Sequence, residues 1–477
     1  MRILFINPQG NFDPADSHLT EHPDFGGQLV YVKETALAMA RMGIQADIIT
    51  RRIQDPDWPE FSESQDRYEG YPDNPRIIRI DCGGQAFLNK EQLWEHIPEF
   101  VDGIIQFYGE ELPHFATAHY GDGGYAAALL KKKVGIPYTL TGHSLGAQKL
   151  DKLKMSLENY DQMEEKYRFS VRIQGERLAM EGASTIITST SQERFEQYGH
   201  PLYEGSMDPQ NSEKFSVIPP GVNTELFTTQ SGEADPEAAR LIQAALGDTS
   251  LPTLLVSSRL DEKKNHLEAV RAYVDTPALQ KKANLLLAVR GAPDPYTDIS
   301  MLSTEEQRIL QPILQMIREN RLEKLVRFID IRSQTLLAAV YRQLAKRSSI
   351  FILTAFYEPF GLAPIEAAAC GLAVVATQNG GPSEIFARGE GVLCDPYDAK
   401  DIAKAYEKAL ENAPHLSQAG RRLVLEKYTW DRTAENYLKA IRRPSVTTGK
   451  TSQGEETLSL EGEARLKRYL SQADKEG

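Results

Sequence analysis

The chain is poor in cysteine, has no long apolar run and carries no excess of positive charge. Its three cysteines, Cys82, Cys370 and Cys394, lie far apart and form no C-x-x-C pair, which argues against a disulfide framework or a zinc site. Such sparse cysteine usage is typical of a reducing compartment. No apolar run approaches bilayer length, and residues 3–6 are too short for the core of a signal peptide. We therefore expect a cytoplasmic protein without a membrane partner.

Positive charge is in deficit over the 477 residues: 54 lysines and arginines face 67 aspartates and glutamates, a net charge of −13 at pH 7. An acidic chain has no global attraction for nucleic acid, so we expect no nucleic-acid partner. Any anionic ligand must be held by a local basic cluster. With 41% hydrophobic and 25% charged residues, the composition excludes a disordered chain, and the length favours two or three domains.

Short β-branched and aliphatic runs alternate with longer segments of helical period, which is typical of parallel strands joined by helices. Between two such sets, residues 232–252 are rich in Gly, Asp, Pro and Ala and are predicted to be a linker with one short helix. The predicted strands lie at residues 2–7, 46–50, 76–80, 115–120, 137–142, 184–190 and 215–220 in the first half, and at 253–259, 283–289, 325–330, 349–355, 372–377 and 391–395 in the second.

The fold class that follows is α/β, with two Rossmann-like doubly wound domains facing across a cleft. We predict an N-terminal domain over residues 1–245 and a C-terminal domain over 246–429. Helix 430–443 is predicted to pack back on the N-terminal domain, and 444–477 to form a flexible polar tail with a short terminal helix. Because ligands of such sheets sit at the carboxyl ends of the strands, the substrate is expected in the cleft.

A nucleophile-elbow pattern follows one predicted strand. The run Gly142-His143-Ser144-Leu145-Gly146 matches G-x-S-x-G and makes a serine α/β-hydrolase an alternative. An elbow needs small residues at the start of its helix, whereas Gln148 and Lys149 follow here. The other triad members would have to come from later loops, and none of the candidate histidines has an evident context for that role: His200, His266 and His415.

A second pattern, G-x-G-x-x-A over residues 121–126, would indicate a dinucleotide site. That site also needs an acidic residue at the end of the next strand to hold a ribose, and residues 140–142 contain none. We therefore interpret these glycines as permitting a tight turn from strand to helix beside a ligand.

Three other loops carry groups suited to phosphates and sugars. Residues 24–28, Asp-Phe-Gly-Gly-Gln, open a helix whose N-terminus can approach a pyrophosphate. Arg259 and Lys264 lie five residues apart in the loop after the first strand of the second half, where both can reach a diphosphate. Glu358 and Glu366 lie eight apart after a later strand. They could be a hydrolytic acid/base pair, acceptors for sugar hydroxyls, or structural groups.

These motifs, together with T-G-H-S-L-G at 141–146, resemble the retaining glycosyltransferases of GT-B type, and within that group they are similar to the sucrose-phosphate synthases. The similarity extends over about residues 3–437. It also covers five further segments, at residues 7–17, 119–124, 188–195, 218–224 and 379–385.

The resemblance implies a role for each matching residue. Arg259 and Lys264 would hold the donor diphosphate, and Glu358 would contact the donor hexose. His143 would lie beside the reacting sugar. The remaining donor-binding residues would be Gly27, Ile331 in the nucleobase loop 331–334, Phe360, Gly361, Leu362 and Glu366, the last of these on the ribose. The acceptor-binding residues would be Gly26, Gln28, Lys90, Tyr120, Ser144, Lys149 and Arg172, with Lys149 and Arg172 on the phosphate.

The implied reaction of sucrose biosynthesis transfers glucose from UDP-glucose to fructose 6-phosphate with retention, the leaving UDP taking the acceptor proton. Val171 precedes Arg172 where sucrose-phosphate synthases commonly show two adjacent arginines. A sucrose synthase-like enzyme using free fructose and a mannosylfructose-phosphate synthase therefore stay as alternatives. Asp55 and Asp57, the only D-x-D, are interpreted as a solvated turn, so no metal or other cofactor is required. We expect a monomer and a separate sugar-phosphate phosphatase.

Overall fold

The structure, a computed structural model, describes residues 1–9, 11–17, 27–71, 73–247, 250–443 and 456–476. The chain divides into two compact units. The first unit combines Met1–Pro219 with Thr433–Gly477, and the second unit is Pro220–Arg432. Among the described residues, no helix combines the length and the apolar character that crossing a membrane requires.

The first unit is built on one sheet. All neighbouring strands in it are parallel except β3, which runs antiparallel to β4 at the edge. The seven strands predicted for this half are confirmed. The eighth, β3, was missed because it is only three residues long and all three are polar. In sheet order β3-β4-β2-β1-β5-β6-β7-β8, the strands are β1 Arg2–Ile6, β2 Gln45–Arg51, β3 Gln65–Arg67, β4 Arg76–Ile80, β5 Phe115–His119, β6 Tyr138–Thr141, β7 Thr185–Thr188 and β8 Phe215–Val217.

Helices of this unit connect the strands, with short 3-10 turns at Pro59–Phe61, Trp94–His96 and Pro201–Tyr203. The end of α4 illustrates the local signals: three lysines fill its last turn, where they complement the helix dipole, and Gly135 closes it in the left-handed conformation. The helices are α1 Gly27–Arg41, α2 Lys90–Leu93, α3 Ile97–Tyr108, α4 Tyr120–Val134, α5 Gly146–Lys152, α6 Tyr160–Tyr167, α7 Phe169–Gly182 and α8 Ser191–Glu196.

The second unit contains an all-parallel sheet of order β11-β10-β9-β12-β13-β14. Leu254 and Val256 of its central strand pack in one core cluster and Leu255 packs in another, so both faces of the sheet are buried. This burial explains the continuous apolar runs in the sequence. The six predicted strands are confirmed as β9 Thr253–Val256, β10 Asn284–Ala288, β11 Val326–Ile329, β12 Ile350–Leu353, β13 Ala373–Thr377 and β14 Val392–Cys394.

Nine helices cover this sheet in the part of the unit that the structure describes. They are α9 Asp235–Leu246, α10 His266–Val274, α11 Pro277–Gln280, α12 Thr304–Glu319, α13 Gln334–Ala345, α14 Leu362–Ala369, α15 Gly381–Ile385, α16 Ala399–Glu411 and α17 Ala413–Lys427. Strand order reverses between β1 and β5 in the first unit and between β9 and β12 in the second. Ligands of doubly wound sheets bind beyond such points, and the motif loops follow these four strands.

The division between the units differs from the predicted boundary near residue 245. Helix α9 belongs to the second unit because Asp235 accepts hydrogen bonds from Arg342 of α13, the shorter one 2.7 Å long. The chain returns to the first unit along α18, Trp430–Ile441. There the Tyr437 hydroxyl lies 2.5 Å from Oγ1 of Thr141.

Residues 456–476 also differ from the predicted flexible tail, of which 444–455 lie outside the described residues. They form α19, Glu456–Glu476, which packs along α7. Leu466 and Leu470 are buried in the core of the first unit. Gly462 lies so close to the backbone of Ser170 that a side chain there would collide with it.

Candidate functional site

A small pocket in the first unit, about 10 Å³ in volume, lies beyond the switch point of its sheet. It is lined by Gln9, Lys90, Glu91, Trp94, Tyr120, Asp122, Tyr167 and Arg172. Three residues of the predicted acceptor group, Lys90, Tyr120 and Arg172, are therefore brought together in one wall. These residues are far apart in the sequence and are brought together by the fold, because they lie at the starts of α2 and α4 and within α7.

Arg172 is held in place by neighbouring groups of its own unit. Its Nε donates to Oε1 of Glu176 at 2.9 Å, and its terminal nitrogen donates to the carbonyl of Ser144 at 2.8 Å. The guanidinium also lies 5.3 Å from the ring centre of Tyr120. Burial alone would lower the pKa of Arg172, but the Glu176 carboxylate outweighs it and raises the pKa. The cation is thus fixed in a charged, oriented state before a ligand arrives.

Glu176 is the ion-pair partner of Arg172, and it was not among the residues predicted from the sequence. Its carboxylate accepts hydrogen bonds from the backbone N–H of Gly146 and from the hydroxyl of Tyr203 as well as from Arg172. The i, i+4 spacing on α7 was the available signal for the ion pair. A buried carboxylate with this many donors anchors the first turn of α5 to α7.

Lys149 adds positive charge next to the same cavity. Its Nζ lies 3.7 Å from Oε1 of Glu91 and 4.3 Å from the ring centre of Tyr167, and both of these residues line the cavity wall. Burial, followed by repulsion from Lys90 and Arg172, lowers the pKa of Lys149. The positive charges of Lys90 and Arg172 therefore repel that of Lys149, and an anionic ligand would reduce this repulsion.

His143 occupies an unusual backbone position at the end of β6. Its φ is +56°, in the left-handed region, and its Nε2 lies 3.0 Å from Nδ1 of the buried His119. His119 is anchored in turn, because its Nε2 lies 2.7 Å from Oγ1 of Thr117. Burial lowers the pKa of His143 to about 3. The imidazole is therefore neutral at physiological pH, with one ring nitrogen as a hydrogen-bond donor and the other as an acceptor.

This geometry disfavours the serine-hydrolase alternative. In an elbow the nucleophile itself takes the strained backbone conformation, but here His143 takes it and Ser144 does not. Within the described residues, no histidine forms a hydrogen bond with the hydroxyl of Ser144. His200 instead lies 3.0 Å from Oδ2 of Asp151.

The glycine-rich opening of α1 is only partly described. Gly26 lies outside the described residues, and Gly27 and Gln28 form the first turn of α1. Among the described residues, a Cβ added to Gly27 would meet no atom within 4 Å. Helix N-termini of this kind carry N–H groups that suit an anion.

In the second unit, three motif loops are tied together by backbone contacts. The N–H of Phe356 donates to the carbonyl of Lys263 at 2.9 Å, which joins the loops after β12 and β9. The N–H of Glu358 donates to the carbonyl of Asn379 at 3.1 Å. Gly380, with φ +93°, lies so close to the carbonyl of Glu358 that a Cβ would overlap it. The N-G-G segment at 379–381 therefore needs its glycines to hold the Glu358 loop.

The two residues predicted to bind the diphosphate, Lys264 and Arg259, have different surroundings. Lys264 donates from Nζ to Oε2 of Glu358 at 2.7 Å, so the cation is already paired with the carboxylate that was predicted to contact the sugar. Arg259 is exposed, and its guanidinium makes no ion pair or hydrogen bond with the described residues. The loop thus presents one neutralised and one available cation.

The N-terminus of α14 lies in the same group of loops. Gly361 precedes it with φ +111°, a left-handed conformation that suits glycine, and Leu362 is exposed in the first turn. Glu366 lies one turn further along, and its carboxylate has no hydrogen-bond partner among the described residues. Burial raises the pKa of Glu366 to about 7. A half-buried acceptor of this kind is suited to hydroxyl donors from a ligand.

The other predicted contacts have simpler surroundings. Ile331 is half-buried after β11, and Ser333 caps α13 through the N–H of Leu336. Phe360 is buried, with its ring centre 6.1 Å from that of Tyr428. Asp55 and Asp57 form the predicted turn, because Oδ1 of Asp55 accepts from the N–H of Asp57 at 3.1 Å.

Two family models match the chain. The model described as glycosyl transferase 4-like domain matches residues 26–196, and the one described as glycosyl transferases group 1 matches 240–423. A probable sucrose-phosphate synthase of Thermosipho melanesiensis is 46% identical over 450 residues, 94% of this chain and 97% of that protein. The sucrose-phosphate synthase of Zea mays is 33% identical over 92% of this chain, which spans about half (47%) of the maize protein.

A solved sucrose-phosphate synthase from Thermosynechococcus elongatus has the same fold, with a TM-score of 0.64 at 24% identity over 93% of this chain and 98% of that one. The prediction of two Rossmann-like doubly wound domains is confirmed. The chain therefore belongs to the sucrose-phosphate synthase family, and it is a glycosyltransferase.

Proposed function

We propose that this enzyme transfers glucose from UDP-glucose to the 2-hydroxyl of fructose 6-phosphate, with retention, to give sucrose 6-phosphate and UDP. One observation carries the acceptor assignment beyond family membership: Lys90, Lys149 and Arg172 concentrate positive charge around one cavity in an acidic chain. The family relationship supports a sugar nucleotide and a sugar phosphate as the two substrates.

The cation cluster favours a phosphorylated acceptor over free fructose. Glu176 pairs with Arg172 and Glu91 lies 3.7 Å from Lys149, so the cations are held in place in the free protein and can still donate further hydrogen bonds to a phosphate. A phosphate dianion matches paired cations, with the Arg172 guanidinium as a planar donor and Lys149 as a point charge. Val171 packs against the core of the unit, so the missing second arginine leaves a hydrophobic contact in its place.

The donor assignment uses the second unit. Arg259 is available for the diphosphate, and Lys264 is available once it exchanges or shares Glu358. The free N–H groups at the start of α14 suit the negative charge of the donor. Glu366 would accept from ribose hydroxyls, Ile331 would border the base, and Gly27 would abut the diphosphate.

The chemistry breaks the bond between the glucosyl anomeric carbon and the diphosphate oxygen and forms a bond from that carbon to O2 of fructose 6-phosphate. The acceptor hydroxyl proton passes to the leaving phosphate of UDP. Arg259 and Lys264 stabilise the negative charge that develops there. Glu358 is paired with Lys264 and would serve the hexose, and the neutral imidazole of His143 would offer a polar contact to the reacting sugar.

A matrix of donors and acceptors tests the proposal. UDP-, ADP- and GDP-glucose and GDP-mannose are each combined with fructose 6-phosphate and with fructose, and nucleotide release and disaccharide phosphate are measured. We expect both products with UDP-glucose and fructose 6-phosphate. Absence of nucleotide release with every sugar phosphate would contradict the function, and preference for fructose or mannose would select an alternative.

A matched pair of variants on α5 tests the phosphate contact. Lys149→Met should raise KM for fructose 6-phosphate about tenfold or more, because it removes one charge-assisted contact to a dianion. Lys152→Met changes an exposed residue on the same helix, and it should leave KM for fructose 6-phosphate and KM for UDP-glucose within about twofold of the wild-type values. Equal effects of the two changes would remove the phosphate role from Lys149. The separate phosphatase, the monomeric state and the absence of a cofactor stay predictions.

A further inference from the structure

The first turn of α4 is wedged into the centre of the first unit. A Cβ on Gly123 would come within 2.5 Å of the carbonyl oxygen of Ile6 at the end of β1. A Cβ on Gly124 would meet Cβ of Ala179 at 2.7 Å, and one on Gly121 would meet the Glu176 carboxylate at 3.0 Å. The glycines that resembled a dinucleotide motif therefore let this turn approach β1 and α7 closely. The residue between them, Asp122, has little freedom to move.

Asp122 presents a buried carboxylate to the acceptor cavity. The residue is 3% exposed and lines the cavity together with Lys90, Tyr120 and Arg172. Its Oδ2 accepts a hydrogen bond from the N–H of Gln9 at 3.3 Å. Its Oδ1 is buried and accepts no hydrogen bond of good geometry within the part of the chain that the structure describes, although the backbone N–H groups of Asp122 and Gly123 also act on the carboxylate.

A buried carboxylate oxygen without a donor is unfavourable and uncommon in folded proteins. Burial raises the pKa of Asp122 to about 6, so the group is ionised at neutral pH and can only accept hydrogen bonds. The fixed turn prevents the side chain from leaving for solvent. An acceptor sugar whose binding widens this small pocket could bring a donor hydroxyl to the open position.

We propose that Asp122 accepts a hydrogen bond from a hydroxyl of the acceptor sugar and is a specificity-determining residue of this enzyme. The inference rests on the proposed function, because it names the group that recognises the sugar part of that acceptor. A carboxylate repels a phosphate and attracts hydroxyl donors, so Asp122 is suited to the sugar part of the acceptor. The nearby cations Lys149 and Arg172 are suited to its phosphate.

The first test compares Asp122→Asn with Asp161→Asn. Both change a first-turn carboxylate to an amide of the same shape, but Asp161 is exposed on α6. Asp122→Asn should raise KM for fructose 6-phosphate roughly 10- to 100-fold, the effect of losing a hydrogen bond to a charged group. KM for UDP-glucose should stay within about twofold. Asp161→Asn should change neither, and an unchanged fructose 6-phosphate KM in Asp122→Asn would overturn the proposal.

Binding to the full chain, measured by calorimetry without the donor, separates this role from a structural one. Inorganic phosphate is a ligand for the cations Lys149 and Arg172 and has no sugar hydroxyl. Asp122→Asn should therefore weaken binding of fructose 6-phosphate and leave binding of inorganic phosphate unchanged. Equal weakening of both ligands would mean that the cavity itself has changed, which overturns the proposal. Wild-type protein that binds phosphate but neither binds nor glucosylates fructose 6-phosphate would overturn the proposed function as well.

A series of deoxy analogues of fructose 6-phosphate tests the same contact in the wild-type chain, whether or not the variant folds. One analogue, lacking the hydroxyl that Asp122 binds, should lose roughly 10- to 100-fold in affinity. For that analogue the additional change to Asp122→Asn should have little effect, because the contact is already absent. Wild-type affinity that is indifferent to every hydroxyl would overturn the proposal.

Discussion

The cations of the two units are held in different ways. In the first unit, Arg172 is buried, bonded to Glu176 and fixed against Tyr120. In the second, Arg259 is exposed and makes no ion pair or hydrogen bond with the described residues. The first cation is part of the fold, whereas the second is available to a ligand. Loss of the first should therefore cost stability, and loss of the second should cost activity alone.

The difference has a physical reason. A preorganised cation loses little side-chain freedom when its ligand binds, but it must be compensated by a buried carboxylate in the free protein. An exposed arginine needs no such partner and is ordered only by the ligand. If Arg259 acts on the leaving diphosphate, its contacts can be strongest when charge develops there.

The largest effect should come from Arg172→Met. This change leaves Glu176 buried without its cation, which should lower the free energy of unfolding by about 3–5 kcal/mol, measured by urea denaturation. Arg168→Met, at the start of the same helix but paired at the surface with Glu95, should cost less than about 1 kcal/mol. Equal losses would mean that Arg172 is not fixed by the fold.

Arg259→Ala should have the opposite profile. We expect kcat to fall roughly 10²- to 10³-fold, the effect of removing one group that stabilises transition-state charge. The unfolding free energy should stay within about 0.5 kcal/mol of the wild-type value, because the exposed guanidinium makes no ion pair or hydrogen bond with the described residues. Lys263→Ala, its exposed neighbour in the same loop, is the control. A strong loss of stability in Arg259→Ala would erase the contrast between the units.

Gly380→Ala should lower stability by about 1–3 kcal/mol, because φ +93° is strained for alanine and the new methyl overlaps the carbonyl of Glu358. The displaced loop should also raise KM for UDP-glucose. Gly27→Ala, whose methyl meets no protein atom within 4 Å, should leave thermal stability unchanged. An increased KM for UDP-glucose in Gly27→Ala alone would support a diphosphate at that helix end.

The smallest effect should be a pH dependence of donor binding through Glu366. Burial raises its pKa to about 7 in the free enzyme, and ribose hydroxyls would favour the ionised form. Affinity for UDP-glucose should therefore fall about tenfold as pH drops from 8 to 6. Calorimetry in buffers of different ionisation enthalpy should show proton release near pH 7. Glu366→Gln should abolish the release, and an unchanged release would assign it elsewhere.

The strand pattern was predictable because parallel strands buried on both faces read as continuous apolar runs. Edge strand β3 was not, because Gln65–Arg67 is polar and gains its conformation from pairing with β4. Helix α9 was predicted as part of a linker, but the hydrogen bonds between Asp235 and Arg342 assign it to the second unit. Long-range pairing of this kind leaves no local signal.

Sequence motifs named Arg259, Lys264 and Glu358 as candidates, and the structure brings Lys264 and Glu358 into contact. The supporting contacts of the site were not predictable: Asp122 was interpreted as part of a tight turn, and only the buried, unsatisfied oxygen reveals a second role. The ion pair of Lys264 with Glu358 joins residues 94 positions apart. Such pairs depend on the switch point of the sheet and become visible only in three dimensions.

The discontinuous first unit has a consequence for protein synthesis. The second unit is complete once Arg432 has left the ribosome, whereas α7 meets its partner α19 only after residues 456–476 have been made. Until then the surface of α7 that receives Leu466 and Leu470 is uncovered while Arg172, on the same helix, is already present. The second unit, in the middle of the chain, can thus fold during translation before the first unit has all its parts.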